Sequence, residues 1–332
     1  MVRFAVLGCG RIGRMHAANV ARHPDATLVS VFDVTLDAAA EVAGRLGVRQ
    51  AASVEEVMAD AGIDAVLIAT STDSHVELII AAARAGKAAL CEKPIDLDMA
   101  RVTRCWNEIG SLNPTVMIGF NRRFDPSFAA LRRRAHAGEI GRIEQVVITS
   151  RDPGPPPIAY IKGSGGLFRD MTIHDFDMAR SLVGDIVEVS AFGASLVDPA
   201  IGEAGDIDAA MVTMRAASGA LVHINNSRRC SYGYDQRLEV FGETGMLVAG
   251  NRRETSVEMF NAKSTQAADP VLHFFIQRYA DAYAAEIAHF VGCVQDKATP
   301  TPSFGDGMAA LLLADAANES LRTGRSVTLE IH

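Results

Sequence analysis

The residues best placed to do chemistry begin at Gly8-Cys9-Gly10-Arg11-Ile12-Gly13. This G-x-G-x-x-G run follows the apolar stretch Phe4 to Leu7 and precedes a helical pattern, the context in which such glycines cradle a dinucleotide. Gly8 permits a tight turn, Gly10 lets the backbone approach a pyrophosphate, and Gly13 lets helix pack on strand, with the positive helix amino end facing the anion. Asp33 ends the next β-branched run, 20 residues beyond Gly13, where a carboxylate accepts from ribose hydroxyls and repels a 2′-phosphate. Val34, Thr35 and Leu36 offer no cation for that phosphate, so NAD is expected over NADP. Thr70 and Ser71 open the segment Thr70-Ser71-Thr72-Asp73-Ser74-His75 at the carboxyl edge of a further predicted strand. Its hydroxyls, His75 and the amides of the next helix could line the nicotinamide, while Thr72 or Asp73 serves as an ordinary N-cap.

Hydride transfer from an alcohol also needs a base for the hydroxyl proton and groups that hold the carbinol carbon. Glu92-Lys93-Pro94 ends another predicted strand, and Pro94 biases Lys93 towards an extended backbone that aims it over the sheet edge, beside the cofactor. The plain alternative is a solvated surface lysine. The second segment is Gly165 to Asp177; as a regular helix it puts Asp170, His174 and Asp177 at i, i+4 and i+7 on one polar stripe, with Ile173, Phe176 and Leu182 on the buried side. An Asp one turn before a His can fix its tautomer and stabilise its protonated form. A metal site and a simple acidic helix start compete with this reading; no further His or Cys cluster completes a ligand set, so no metal is expected.

Two kinds of element must position these residues. Over residues 1–120, candidate strands Phe4–Leu7, Leu28–Phe32, Ala65–Ala69, Ala88–Cys91 and Val116–Ile118 alternate with amphipathic stretches such as Asp73 to Ala85. That alternation predicts a Rossmann-type, doubly wound parallel sheet covered by helices on both faces. Residues 121–332 show one helical segment and then runs of strand character, Ile143–Thr149, Val187–Ala191, Ala209–Met214, Ala220–Asn225 and Leu238–Phe241. Turn residues such as Ser218-Gly219 suit an open, mostly antiparallel sheet, so the fold class is α/β with a domain boundary near residue 120. Ser150 to Gly166, with Pro153 and Pro155 to Pro157, reads as an irregular loop over a site, and long helical patterns return at Phe274 to Gln295 and Gly305 to Leu321.

At 332 residues two cores are expected, and a net charge of -8 without a long Lys/Arg run argues against nucleic acid as a partner. No stretch reaches the roughly 18 to 20 apolar residues of a membrane span. The five cysteines are odd in number and widely spaced, reading as small apolar residues of a reducing cytoplasm.

Taken together, the chain resembles the glucose-fructose oxidoreductase/inositol dehydrogenase/rhizopine catabolism (Gfo/Idh/MocA) superfamily, and within it the bacterial inositol 2-dehydrogenases. The resemblance spans essentially the whole chain and rests on Gly8 to Gly13, Glu92-Lys93-Pro94, Gly119-Phe120-Asn121-Arg122-Arg123-Phe124-Asp125, the Asp170 to Asp177 helix, Tyr232-Gly233-Tyr234-Asp235, and Arg278-Tyr279 through Tyr283 to Glu286. It implies a catalytic trio of Lys93, Asp170 and His174, with His174 taking the hydroxyl proton. It further implies polyol contacts from Arg123, Asp177, Tyr234 and, on the Pro-rich loop, Arg151. Arg123 pairing with a carboxylate and Tyr234 as a buried sheet tyrosine are the alternatives. A homotetramer built through the open sheet is also an implication of the resemblance. The expected reaction is NAD-dependent oxidation of myo-inositol. Rivals are another cyclic polyol or aldose (scyllo-inositol, chiro-inositol, glucose), a glycosidase that retains NAD, and a non-catalytic NAD-sensing regulator, which needs the fold without the trio.

Overall fold

A computed structural model describes residues 1–330, in which the chain forms two compact units. The first comprises Met1–Phe124 and Ala282–Leu311, the second Asp125–Asp281 and the chain from Leu312 onward.

The first unit is built on β1 (Val2–Leu7), β2 (Ala26–Phe32), β3 (Arg49–Gln50), β4 (Ala65–Ile68), β5 (Ala88–Glu92) and β6 (Val116–Gly119). All pairs are parallel, in the order β3-β2-β1-β4-β5-β6. The order reverses between β1 and β4, the point where open α/β sheets bind ligands outside the carboxyl ends of their strands. Phe4, Val6, Ala65 and Leu67 are fully buried, as near-continuous apolar runs must be in a sheet covered on both faces. The covering helices are α1 (Arg11–Arg22), α2 (Leu36–Leu46), α3 (Val54–Ala59), α4 (His75–Arg84) and α5 (Met99–Gly110).

The second unit holds α6 (Pro126–His136), β7 (Ile143–Arg151), α7 (Ile158–Ser164), α8 (Ile173–Val183), β8 (Ile186–Ala194), α9 (Pro199–Glu203), β9 (Ala209–Ala216), β10 (Leu221–Ser227), β11 (Asp235–Gly242) and β12 (Gly245–Ala249). A short pair, β13 (Glu258–Met259) with β14 (Ala267–Ala268), precedes α10 (Phe275–Arg278), α11 (Ala280–Val294), α12 (Phe304–Thr323) and β15 (Val327–Thr328). The seven-stranded sheet runs β12-β11-β7-β10-β9-β8-β15, antiparallel throughout except where β7 meets β10. Even-numbered residues of the central strands, among them Val146, Ile148, Val222, Ile224, Leu238 and Val240, pack on Phe176, Ala179 and Leu182 of α8. Odd-numbered residues of β7, β9, β10 and β11 face the other way, and Met211, Leu221 and Phe241 are exposed there.

Three expectations change. Ala282–Leu311 belongs to the first unit, because Ile287, Phe290, Val291 and Cys293 join the core around β1; Phe290 lies 5.9 Å from the Phe4 ring. The chain thus passes from the first unit to the second after Phe124, returns at Ala282 and leaves again after Leu311. The Pro-rich loop contains a short helix, α7, and the Phe274 to Gln295 pattern is split into α10 and α11. No described helix is long and apolar enough to cross a membrane.

Within the second unit, Asp125 and Arg278 form a completely buried ion pair. Asp125 also caps α6, accepting from the Ser127 and Phe128 amides at 3.1 Å, and the guanidinium lies 5.5 Å and 4.8 Å from the Phe128 and Tyr279 ring centres. Removing one partner leaves an uncompensated buried charge. Arg278→Met should lower unfolding free energy in urea by about 3–5 kcal/mol, a loss that an exposed pair such as Arg134–Glu139 would not reproduce on substitution.

Candidate active site

The glycine turn shows why each glycine is required. Gly8 has φ +97°, and a Cβ there would lie 2.3 Å from the Ala69 carbonyl oxygen; at Gly13 it would lie 1.9 Å from the Gly8 carbonyl oxygen. Gly10 differs, since a Cβ there meets nothing within 4 Å. The backbone at Gly10 thus borders open space at the amino end of α1, which carries no side-chain cap. Unsatisfied helix amides beside a side-chain-free surface fit a pyrophosphate.

Asp33, just beyond β2, fixes this turn from the other side. Its Oδ2 accepts from the Cys9 amide at 2.6 Å and its Oδ1 from the Thr35 amide at 2.7 Å. The carboxylate retains lone pairs for a ribose diol. Cys9 is buried, and burial, then the nearby Asp33 charge, push its thiol up to about 11, so it acts as a small inert residue.

After β4 the Thr70 and Ser74 hydroxyls bond each other at 2.7 Å, and Ser74 donates to the Ser71 carbonyl. The expected N-cap at Thr72 or Asp73 does not form: residues Thr72–Ser74 make a 3₁₀ turn, and Ser74 occupies the cap position of α4 without a side-chain cap bond. His75 also differs from its expected place at the cofactor. It is 1% exposed, with Nδ1 2.8 Å from the Pro94 carbonyl oxygen and Nε2 3.2 Å from that of Thr70. Burial lowers its pKa, so a neutral ring ties the Thr70 loop to the segment after Lys93 from behind. Lys93 directly follows β5 and is joined to Pro94 by a cis bond, and Glu92 Oε1 lies 2.8 Å from His16 Nε2. Arg123, on the 3₁₀ turn Asn121–Phe124, is buried and paired with Asp306 at 3.0 Å, with Thr301 at 3.4 Å. Its carboxylate-pairing alternative is the one found.

In the second unit the helix carrying Asp170 is not regular. Phe168–Thr172 forms a π-turn that leads into α8, an irregularity frequent at functional sites. Between Met171 and Ala179 only His174 is not buried, whereas Asp177 is 1% exposed. Asp170 accepts from the Tyr160 hydroxyl at 2.8 Å on Oδ1 and from Arg228 at 3.0 Å on Oδ2. Arg228 is 1% exposed and has Asp152 at 3.8 Å. A cation held this deep fixes a carboxylate in both charge and orientation. The neighbouring Asp175 is structural: Asn226, whose Oδ1 accepts a hydrogen bond from the Thr172 hydroxyl, donates to it through Nδ2 at 2.9 Å.

Sequence reasoning missed Tyr160 and Arg228. Arg228 lies two residues beyond Asn226 at the end of β10, and that period-2 relation to a residue facing α8 is the only signal available. Tyr234 is buried with its ring edge-on to Tyr279 at 5.9 Å. Arg151 is a correction. It bonds the Tyr232 hydroxyl, Asp235 and Asn225, whose neighbour Asn226 faces α8, so Arg151 lies on the opposite face of the sheet from Asp170. It is not a polyol contact of this site.

A Rossmann unit shaped for a dinucleotide and a second unit presenting a clamped carboxylate beside a histidine define a nucleotide-dependent oxidoreductase. The chain belongs to the Gfo/Idh/MocA family: residues 2–120 match its oxidoreductase domain with the NAD-binding Rossmann fold, and residues 128–248 match the GFO/IDH/MocA C-terminal domain. It is 50% identical to an inositol 2-dehydrogenase of Rhizobium meliloti and 47% identical to a myo-inositol 2-dehydrogenase of Thermotoga maritima, each alignment covering 99% of both chains. The crystal structure of a myo-inositol dehydrogenase from Corynebacterium glutamicum superposes with a TM-score of 0.97 at 52% identity, covering 100% of both chains.

Two outcomes follow for this site. Gly10→Ala should leave the melting temperature without cofactor almost unchanged, since the added Cβ meets nothing within 4 Å, yet sharply reduce the stabilisation that NAD gives. Arg228→Met should lower kcat by about ten- to a hundredfold, the worth of a charged hydrogen bond, while NAD affinity measured by fluorescence stays the same.

Proposed function

We propose that this protein oxidises the C2 hydroxyl of myo-inositol, with NAD as acceptor, giving 2-keto-myo-inositol (scyllo-inosose) and NADH. The observation that carries this reading is the Asp170 carboxylate clamped by Arg228 four residues before His174, the one residue between Met171 and Ala179 that is not buried, in a chain 47 to 50% identical to inositol dehydrogenases over 99% of its length. NAD supplies the hydride acceptor. His174 removes the hydroxyl proton, Asp170 stabilises the imidazolium that results, and Lys93 orients and polarises the hydroxyl. Asp177 and Tyr234 contribute polyol contacts. Gly8, Gly10, Arg11, Ile12, Gly13 and Asp33 hold the adenosine and pyrophosphate, while Thr70, Ser71, Glu92 and Lys93 border the nicotinamide.

We infer that the protein works as a homotetramer in the cytoplasm. The outer face of the seven-stranded sheet carries Phe192, Met211, Leu221, Phe241, Met246 and Val248, all exposed, and an apolar patch of this kind is a usual site of self-association. All five cysteines are buried free thiols, which suits a reducing compartment.

A panel of myo-, scyllo- and chiro-inositol and glucose, run with NAD and NADP and followed by NADH absorbance, tests the assignment. The expected outcome is fastest turnover of myo-inositol with NAD; no turnover of any inositol would refute it. His174→Ala should lower kcat by about 10²- to 10⁴-fold, the usual worth of a positioned base. Undiminished turnover would return the helix to a structural role.

A further inference from the structure

The short helix α7 has no role in the reaction above, yet it carries a side chain onto the site. Its start is set by Pro155 to Pro157, with the Tyr160 and Ile161 amides donating to the Pro157 carbonyl at 2.9 and 3.2 Å. Ile161, 3% exposed, anchors it in the unit. In one continuous helix Tyr160 and Asp170 would stand about 15 Å apart along the axis. Gly165 and Gly166 prevent this: with φ +82° and +83° they reverse the chain between α7 and the π-turn. A Cβ at Gly166 would come 2.8 Å from Asp206 Oδ1, the atom that accepts from the Leu167 amide at 3.1 Å and holds the chain where the turn begins. The reversal brings the Tyr160 hydroxyl to 2.8 Å from Asp170 Oδ1, while Arg228 holds Oδ2 at 3.0 Å. Tyr160 as a whole is 52% exposed, whereas the Asp170 side chain is 12% exposed. The core gains little from such a ring, so its hydroxyl serves the carboxylate more than the fold. Burial around the hydroxyl first, then the Asp170 charge and the bond to it, push the phenol pKa up. The proton stays on Tyr160, which acts towards Asp170 as a donor only.

We propose that Tyr160 is a positioning residue for the reaction: its hydroxyl and the Arg228 guanidinium each hold one oxygen of Asp170, fixing the orientation and basicity of the carboxylate that supports His174. This role rests on Asp170 and His174 acting as in the function proposed above. A carboxylate held at both oxygens cannot rotate, and each donor stabilises its charged form. Loss of the phenol donor makes Asp170 more basic, and a more basic carboxylate also holds a proton on His174 more strongly. Both effects move the acid limb of the reaction to higher pH, because the pair must be free of that proton to accept one from the substrate hydroxyl. The charged and titratable groups around Asp170 are Tyr160 on α7, Arg228 after β10 and Asp152 after β7, with His174 four residues on. The adjacent Arg169 is paired with Asp315 of α12 at 2.6 Å.

The test compares the intact enzyme with Tyr160→Phe, which keeps the ring and removes only the hydroxyl. The variant should lower kcat about five- to tenfold near neutral pH, keep KM within about twofold, and shift the acid limb of kcat upward by about half a pH unit or more. NAD should stabilise it as it does the unmodified protein. An acid limb that does not move overturns the positioning role, and a loss confined to KM overturns it in favour of a substrate contact. Melting temperature supplies a readout independent of turnover. Tyr160→Phe should melt about 2 °C below the unmodified protein, and the same substitution should cause no such loss in an Asp170→Ala background. An equal change with and without Asp170 overturns the contact itself. Failure of the unmodified enzyme to oxidise any inositol would refute the functional reading instead, leaving the melting comparison to decide whether Tyr160 holds Asp170.

Discussion

Everything in the first unit depends on how closely three stretches of backbone approach one another at Gly8, Gly13 and Ala69. A single Cβ at Gly8 or Gly13 would overlap a carbonyl group, so no other residue allows α1 to begin where it does. Because β1 and β4 are neighbours at the point where strand order reverses, that approach places the amino end of α1, the Asp33 carboxylate and the Thr70 loop at one edge of one sheet. The Asp33 bond to the Cys9 amide then holds the turn against β2, and His75 holds the Thr70 loop against the residues after Lys93. The site is preorganised by backbone contacts, which a flexible side chain cannot relax.

The second unit uses a different device. Its site depends on which face of a sheet a side chain occupies, and on a π-turn that breaks the register of the helix lying on that face. Asn226 secures the turn through Thr172 and secures α8 through Asp175, while Arg228, two residues on, supplies the charge that keeps Asp170 in place. Structure and chemistry therefore alternate along one strand end. The opposite face carries its own closed cluster of Arg151, Tyr232, Asp235, Arg237 and Asn251, with Asp235 held below the ordinary carboxylate range against its burial by Arg237, Tyr232 and Asn251.

Much of this was legible in the sequence because its causes are local. The glycine spacing, the strand-helix alternation, Asp33, and the pair Asp170 and His174 all announce themselves within a few residues. What was not legible depends on distant partners. Arg228 and Tyr160 meet Asp170 from 58 and 10 residues away. Alternation shows that Arg151 and Asn226 lie on strands but not which face of the sheet the helix covers. Helix α11 is apolar enough to serve either core, so nothing within it indicates that it packs with β1. His75 looked like a ligand of the cofactor because its two carbonyl partners belong to backbone that any residue type could supply. The inositol assignment came from resemblance, since the same base and carboxylate would serve any ring hydroxyl.

The most direct measurement follows a single atom. With myo-inositol carrying deuterium at C2, this account predicts that each turnover moves that deuterium onto the nicotinamide ring of NADH, with a slowed rate relative to unlabelled substrate. Recovery of unlabelled NADH, or of deuterium in water, would contradict direct hydride transfer from C2.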